Sequence, residues 1–175
     1  MRRLTPFLLL LTLVGIQASC ERKPDQPVVM DYAEAQERLI EANRNRVRSE
    51  RADIDTYIQQ KGWPVDTTGT GLRYWVNHQS GGVAAAPGMI VQLEYTISLL
   101  NDSVMYGSET NGLLTFNIGQ DFVETGLHEA MLYLHEGDSA KVVLPSHLAH
   151  GLTGDFGRIP GNAPVVYDLF VKSLR

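Results

Sequence analysis

The segment VQLEYTISL, residues 91–99, alternates apolar and polar side chains without interruption. Successive side chains of a β-strand point to opposite faces of the sheet, so this period of two puts all the apolar residues on one face. A pattern of this kind is typical of a strand that buries one face and exposes the other. Residues 91–99 therefore predict a half-buried strand of an antiparallel sheet.

Shorter apolar segments on both sides of this strand are bounded by glycine, proline or polar turn residues. They predict four further strands, at residues 72–76, 114–118, 141–144 and 165–171.

A helix is predicted between the strands at residues 114–118 and 141–144. Its apolar residues recur at helical spacing, and Gly137 would close it; they are Val123, Leu127, Ala130, Met131 and Leu134. A loop rich in glycine and proline follows at residues 147–164. Several antiparallel strands with one amphipathic helix predict an α+β domain over residues 71–175.

A long helix is predicted ahead of this domain, at residues 31–62. No proline or glycine interrupts the chain before Gly62, and Asp31 can cap the start. One interpretation is a dimerisation arm that forms a homodimer, because Ile40, Val47 and Ile54 lie seven residues apart. The other is a helix that packs on its own domain. We favour the second, because Asn43 and Glu50 stand where a second apolar seam would need apolar residues.

The first nineteen residues have the features of a secretory signal peptide: two arginines, then a mostly apolar run at residues 4–16. Cys20, the only cysteine in the chain, follows directly, and residues 17–20 resemble a lipobox. We expect cleavage before Cys20, lipidation of Cys20 and a tether over residues 20–30. Glu21, rather than an aspartate, follows the cysteine and favours the outer membrane, with the domain facing the periplasm.

The charge balance argues against a nucleic-acid-binding protein. The chain has a formal net charge of −5, with 15 basic and 20 acidic side chains. Loss of the signal peptide removes Arg2 and Arg3 and no acid, which makes the mature chain still more acidic. A phosphate-binding surface needs a basic face, and none is predicted.

Eight short motifs follow one another in the C-terminal domain. In chain order they are Tyr95-Thr96, Phe116-Asn117-Ile118-Gly119, Val123 with Gly126, Glu136-Gly137-Asp138, Lys141 to Pro145, Ala149-His150-Gly151, Ile159 to Ala163, and Val166 to Leu169. Their order and spacing resemble the FKBP family of peptidyl-prolyl isomerases, which includes lipoproteins associated with gliding motility. The resemblance implies a curved antiparallel β-sheet wrapped around one short α-helix, with the ligand pocket between them.

The resemblance also implies an activity, rotation about the bond that precedes proline, without a cofactor or a metal. Carried over by position, the pocket-lining residues are Tyr95, Tyr106, Leu114, Phe116, Val123, Leu127, His150, Ile159 and Tyr167, and Glu124 would contact substrate through its backbone. The expected substrates are proline-containing exported polypeptides.

The chain departs from the family's pattern at three of these positions and at Gly107. Leu127 replaces a tryptophan at the pocket floor, and Gly107 replaces an aspartate that anchors ligand. His150 replaces a tyrosine, and Glu124 replaces an isoleucine. We expect a recognisable pocket with weakened or altered activity. The rival prediction is a catalytically weak chaperone or binding module of an envelope or motility assembly.

Four histidines lie in the C-terminal half, at positions 128, 135, 147 and 150. No cysteine or paired carboxylate accompanies them in sequence, so we do not predict a metal site.

Overall fold

The computed structural model describes residues 31–175. The predicted signal peptide, Cys20 and the tether lie outside the described residues. Residues 40–175 form one compact unit, which contains every predicted pocket residue. Within residues 31–175, no helix is both long enough and apolar enough to cross a membrane.

The elements follow the order predicted from the sequence, with two short strands, one short helix and a 3-10 turn added. They are α1 (Tyr32–Lys61), β1 (Asp66–Thr67), β2 (Arg73–His78), β3 (Ile90–Leu99), β4 (Val104–Gly107), α2 (Ser108–Asn111), β5 (Leu114–Asn117), α3 (Thr125–Met131), β6 (Ser139–Leu144), a 3-10 turn (Ser146–Leu148) and β7 (Val165–Leu174). The elements β1, β4 and α2 were not predicted, because two to four residues are too few to show a period.

All seven strands form one antiparallel sheet, in the order β1-β2-β6-β7-β3-β4. Strand β5 pairs with the first half of β3, and β4 pairs with its second half. The central pair is β3 with β7, which keeps its register from Leu93 opposite Val171 to Leu99 opposite Val165. The predicted α+β fold, an antiparallel sheet around one short helix and preceded by a long helix, is confirmed.

The sheet buries apolar side chains on both faces. On β6, Val142 belongs to the main core with α3, whereas the neighbouring Val143 belongs to a second core with Ile54 of α1. On β7, Tyr167 and Val166 divide between the two cores in the same way. This division follows from the period of two, which sends adjacent side chains to opposite faces.

The second half of α1 packs on the domain, as the favoured interpretation predicts. Ile54, Tyr57 and Ile58 are buried, whereas Ile40 and Val47 remain about half exposed. The predicted homodimer through this helix stays a prediction.

Polar contacts hold the same half of α1 in place. Glu50 accepts hydrogen bonds from the backbone amide and the hydroxyl of Ser146, at 2.7 and 2.6 Å. Asp55 accepts one from the buried Arg73 at 2.7 Å. The Ser146 contacts fix the start of the segment that carries His150, so α1 supports one wall of the predicted pocket.

Helix α3 is shorter than predicted. It ends at Met131, so Val123 and Leu134 lie outside it. After Met131 the chain makes 3-10-type turns, in which the amide of Leu134 bonds to the carbonyl of Met131. Gly137 has a φ of +86° and forms the turn before β6 instead of closing the helix. The prediction of a helix end at Gly137 was wrong, because buried turn residues continued the apolar spacing.

Candidate active site

Four predicted pocket residues lie together at the base of the site. Phe116 of β5, Leu127 of α3, Ile159 of the loop before β7 and Tyr167 of β7 are each at most 2% exposed and belong to one core cluster. The sheet and the helix each contribute to this cluster, in agreement with a pocket between them. The base of the site is closed to solvent in this structure.

Four other predicted residues pack against this base and stay partly exposed. They come from β3, β4, β5 and the turn before α3, and they are Tyr95, Tyr106, Leu114 and Val123. Eight of the nine residues predicted to line the pocket therefore join a single apolar cluster. The ninth, His150, is also partly buried and is placed by its contact with Glu124.

The side chain of Glu124 is the main polar feature that the sequence did not predict. Tyr167 donates a hydrogen bond from Oη to Glu124 Oε1 at 2.9 Å. His150 Nε2 lies 3.1 Å from the same oxygen, although it is not aligned as a hydrogen bond. Glu124 directly precedes the first residue of α3. Its carboxylate contacts both the Tyr167 hydroxyl and the His150 ring.

A second carboxylate, that of Asp155, was missed altogether. It accepts hydrogen bonds from the Tyr106 hydroxyl and from the amides of Gly157 and Ile159, both at 2.8 Å. Burial would raise the pKa of Asp155, but these hydrogen bonds outweigh it and lower the pKa to about 2. The sequence Asp-Phe-Gly at residues 155–157 could have indicated this turn. An Asp side chain often accepts a hydrogen bond from the backbone amide two residues later.

The Glu124 carboxylate also affects two tyrosines of the site. Burial, followed by the charge of Glu124, raises the pKa of Tyr95. Burial and then Glu124 raise the pKa of Tyr167 more strongly. Both phenols therefore stay protonated in neutral solution, and the Tyr167 hydroxyl remains a hydrogen-bond donor.

Two other histidines, His128 and His147, contact backbone atoms. His128 accepts a hydrogen bond from the amide of Gly119 at 2.8 Å, and His147 lies 3.1 Å from the carbonyl oxygen of Thr70. Among residues 31–175, no group of three or more His, Cys, Asp or Glu side chains could hold a metal ion.

Large apolar side chains are exposed next to the site. Phe122 precedes Val123 and is fully exposed, Leu152 is 69% exposed, and Phe156 is 91% exposed. Phe156 also has a φ of +57°, which is unfavourable for a bulky residue. The hydrogen bonds of its neighbour Asp155 hold this turn. We call these three residues the exposed rim.

A cavity of about 320 Å³ lies elsewhere, between α1, the β1–β2 turn and the segment Pro145–His147. Its lining includes none of the predicted pocket residues. Cavity volume alone would therefore select a different part of the domain. The candidate active site is assigned because the predicted lining residues lie together there.

The sequence model of the FKBP-type peptidyl-prolyl cis-trans isomerase family matches residues 81–172, more than half of the chain. A Neisseria meningitidis protein named as a probable FKBP-type isomerase, FkpA, is 28% identical over 89% of this chain and 58% of its own length. The FkpA of Buchnera aphidicola is 27% identical over 90% of this chain and 65% of its own length. The chain thus spans about three fifths of these two curated relatives.

Two solved structures have a similar fold. The crystal structure of Escherichia coli FkpA covers 84% of this chain and 74% of its own, with a TM-score of 0.63 and 24% identity. That of AtFKBP13 covers 63% and 98%, with a TM-score of 0.61 and 23% identity. The extent of the family match and the agreement in fold lead to one conclusion: the chain belongs to the FKBP-type peptidyl-prolyl cis-trans isomerase family.

Proposed function

We propose that this protein is a peptidyl-prolyl cis-trans isomerase that helps exported envelope proteins to fold. The observation that carries the proposal is the convergence of eight predicted lining residues in one apolar cluster. Tyr95, Phe116, Val123, Ile159 and Tyr167 are the same as, or close to, the residues that the family uses. These five come from five separate segments of the chain, so only the fold brings them together.

The reaction needs a shaped apolar surface more than a reactive group. The barrier to rotation about a peptide bond is about 18–20 kcal/mol, because amide resonance must be broken. A twisted amide loses this resonance, and an apolar pocket can bind it better than either planar form. Lowering the barrier by about 5–6 kcal/mol accelerates the rotation roughly ten-thousand-fold.

His150 is the polar group best placed to assist. Its Nε2 is buried and has no hydrogen-bond partner among the described residues. When this nitrogen carries a proton, it can donate to a substrate carbonyl and hold the chain beside the pocket. Such a bond would compensate in part for Gly107, where the family has an aspartate.

The location of the protein is part of the proposal. A signal peptide, a lipid on Cys20 and a tether would place the domain at the outer membrane, facing the periplasm. There it would meet proline-containing polypeptides as they emerge from export. Envelope proteins are therefore the proposed substrates.

A refolding-coupled assay tests the activity. The purified protein should accelerate the slow refolding phase of a substrate that is limited by proline isomerisation. Tyr95→Ala should reduce this acceleration at least about tenfold, because it removes a partly exposed wall of the pocket. Unchanged refolding in the presence of folded protein would refute the proposal.

The exposed rim favours a second candidate, a binding or chaperone module. Its three large apolar side chains are exposed and lie close in sequence to site residues, and exposed apolar surfaces often bind other chains. The discriminating measurement is binding of an unfolded polypeptide without proline. Replacing Phe122 and Phe156 by serine should weaken this binding if the module is a chaperone, and should leave isomerisation of short peptides nearly unchanged.

A further inference from the structure

The site contains a carboxylate that no basic side chain neutralises. Glu124 lies among the tyrosines of the site, with its side chain only 13% exposed. Among residues 31–175, its one ion-pair partner is His150, and no lysine or arginine lies within salt-bridge distance. A largely buried carboxylate usually has a cationic or hydrogen-bonding partner, because removal from water is unfavourable.

The two oxygens of this carboxylate are used unequally. Oε1 accepts the Tyr167 hydrogen bond and lies beside His150 Nε2. No described residue donates a hydrogen bond to Oε2. A carboxylate can accept several hydrogen bonds through both oxygens. Glu124 is therefore held in position on one side and has acceptor capacity left on the other.

Asp155 adds a second negative charge to the site through its hydrogen bond with Tyr106. An electrostatic interaction with His150 is among the causes that lower the pKa of Asp155. The Asp155 oxygens accept hydrogen bonds from Tyr106 and from two backbone amides of the same loop. Among residues 31–175, no lysine or arginine forms an ion pair with either acid, so a neutral His150 leaves two negative charges at the site.

A cation beside Tyr106, that of Arg158, is already engaged by other groups. Arg158 donates a hydrogen bond to the carbonyl of Met105 at 2.8 Å, and its guanidinium lies 5.6 Å from the centre of the Tyr106 ring. These contacts hold Arg158 at the edge of the site without bringing it to Glu124. A cation on a bound polypeptide could therefore complement the charge of Glu124.

We propose that Glu124 is a specificity-determining residue, which makes the site prefer prolines with a lysine or arginine directly beside them. The inference rests on the proposed isomerase function and deepens it by naming a substrate class. An ammonium or guanidinium group next to the proline would donate to Oε2, whereas an acidic neighbour would be repelled by both carboxylates. A leucine neighbour would gain from the apolar walls alone.

The expected preference is moderate, because the site is partly open to water. A partly exposed ion pair favours a lysine peptide, and the corresponding repulsion disfavours a glutamate peptide. Together they should separate the two peptides by about threefold to tenfold in kcat/KM at low ionic strength. The ratio should fall as salt is added, because salt screens such interactions.

The test compares three short peptides that differ only in the residue before proline, which is lysine, leucine or glutamate. A second set varies the residue after proline. Each is assayed with the wild-type protein, with Glu124→Gln and with Glu129→Gln. Glu129 is the matched control, because it lies on the same helix but bonds to Thr70 at 2.8 Å, away from the site residues.

The lysine-to-glutamate ratio should be well above one in at least one set, collapse toward one in Glu124→Gln and persist in Glu129→Gln. A ratio that survives Glu124→Gln, or that is absent from the wild type in both sets, would overturn the proposal. If no peptide is turned over, the isomerase proposal fails separately. Binding of the same peptides, followed by NMR shift changes, then still decides whether Glu124 selects a cation.

Discussion

Tyr167 of β7 donates a 2.9 Å hydrogen bond to Glu124, 43 residues earlier in the chain, at the start of α3. This bond joins β7 to the start of α3, at the base of the candidate active site. The phenol ring is 1% exposed, so the contact is shielded from water on the Tyr167 side. One hydrogen bond therefore fixes the position of the carboxylate on which the predicted specificity depends.

Tyr167→Phe should destabilise the protein, because it removes the donor from a largely buried carboxylate and leaves the ring in place. Hydrogen bonds to charged groups contribute about 1.5–3 kcal/mol, and a loss in that range is expected in urea unfolding. Tyr133→Phe is the control, since Tyr133 is 40% exposed. Equal effects of the two substitutions would contradict the geometry at Glu124.

Asp155→Asn should lower stability in a pH-dependent way. The pKa of Asp155 falls from its ordinary value of 3.8 to about 2 in the folded protein. A lowered folded-state pKa stabilises the protein above the unfolded value, and this contribution disappears as the pH falls through the folded value. The difference in unfolding free energy between wild type and variant should be largest near neutral pH. It should decrease as the pH falls from about 4 to about 2.

Urea midpoints measured across this range check the prediction. A difference that stays constant down to the lowest pH at which the protein is folded would mean that the Asp155 carboxylate is not stabilised by its loop.

Gly126→Ala should destabilise the packing of α3 on the sheet. A Cβ at this position would lie 2.7 Å from Leu144 Cδ2 and 2.9 Å from the Leu148 carbonyl oxygen. Overpacking of this kind costs about 1–3 kcal/mol. Gly69→Ala is the matched control, because nothing lies within 4 Å of its Cβ and its φ is not positive. Equal melting temperatures of the two variants would mean that α3 packs on the sheet less tightly than the structure shows.

The sequence predicted the parts of the fold that depend on local patterns. Strand β3 was predicted within one residue, because the alternation over residues 91–99 has no interruption. Helix α1 was also predicted closely, because Gly62 adopts a φ of +66° that ends it. The end of α3 was not predicted, because the turns after Met131 bury apolar residues at nearly the same spacing as a helix.

The apolar part of the site was predictable, and its polar part was not. The resemblance to a known family identified Phe116, Leu127, Ile159 and Tyr167, which the structure brings together. Hydrogen bonds between distant residues leave no periodic signal. Tyr106 and Asp155 are 49 residues apart, so nothing local indicated their contact.

The proposed lipid anchor gives a prediction outside the described residues. Cys20→Ser should release the processed protein from the membrane fraction, because it removes the acceptor of the acyl chains. Cell fractionation followed by immunoblotting measures the distribution. Persistence of the variant in the membrane fraction would contradict lipidation at Cys20, and wild type in the same experiment serves as the reference.

The most direct test of the isomerase proposal is the cis–trans exchange rate of a short proline peptide, measured by NMR exchange spectroscopy with the purified protein. Without a catalyst the exchange takes roughly tens to hundreds of seconds. We predict that a catalytic amount of protein brings it into the range of seconds or faster, and that Tyr95→Ala largely abolishes the effect. Exchange that remains at the uncatalysed rate, in a sample shown by circular dichroism to be folded, would contradict the account.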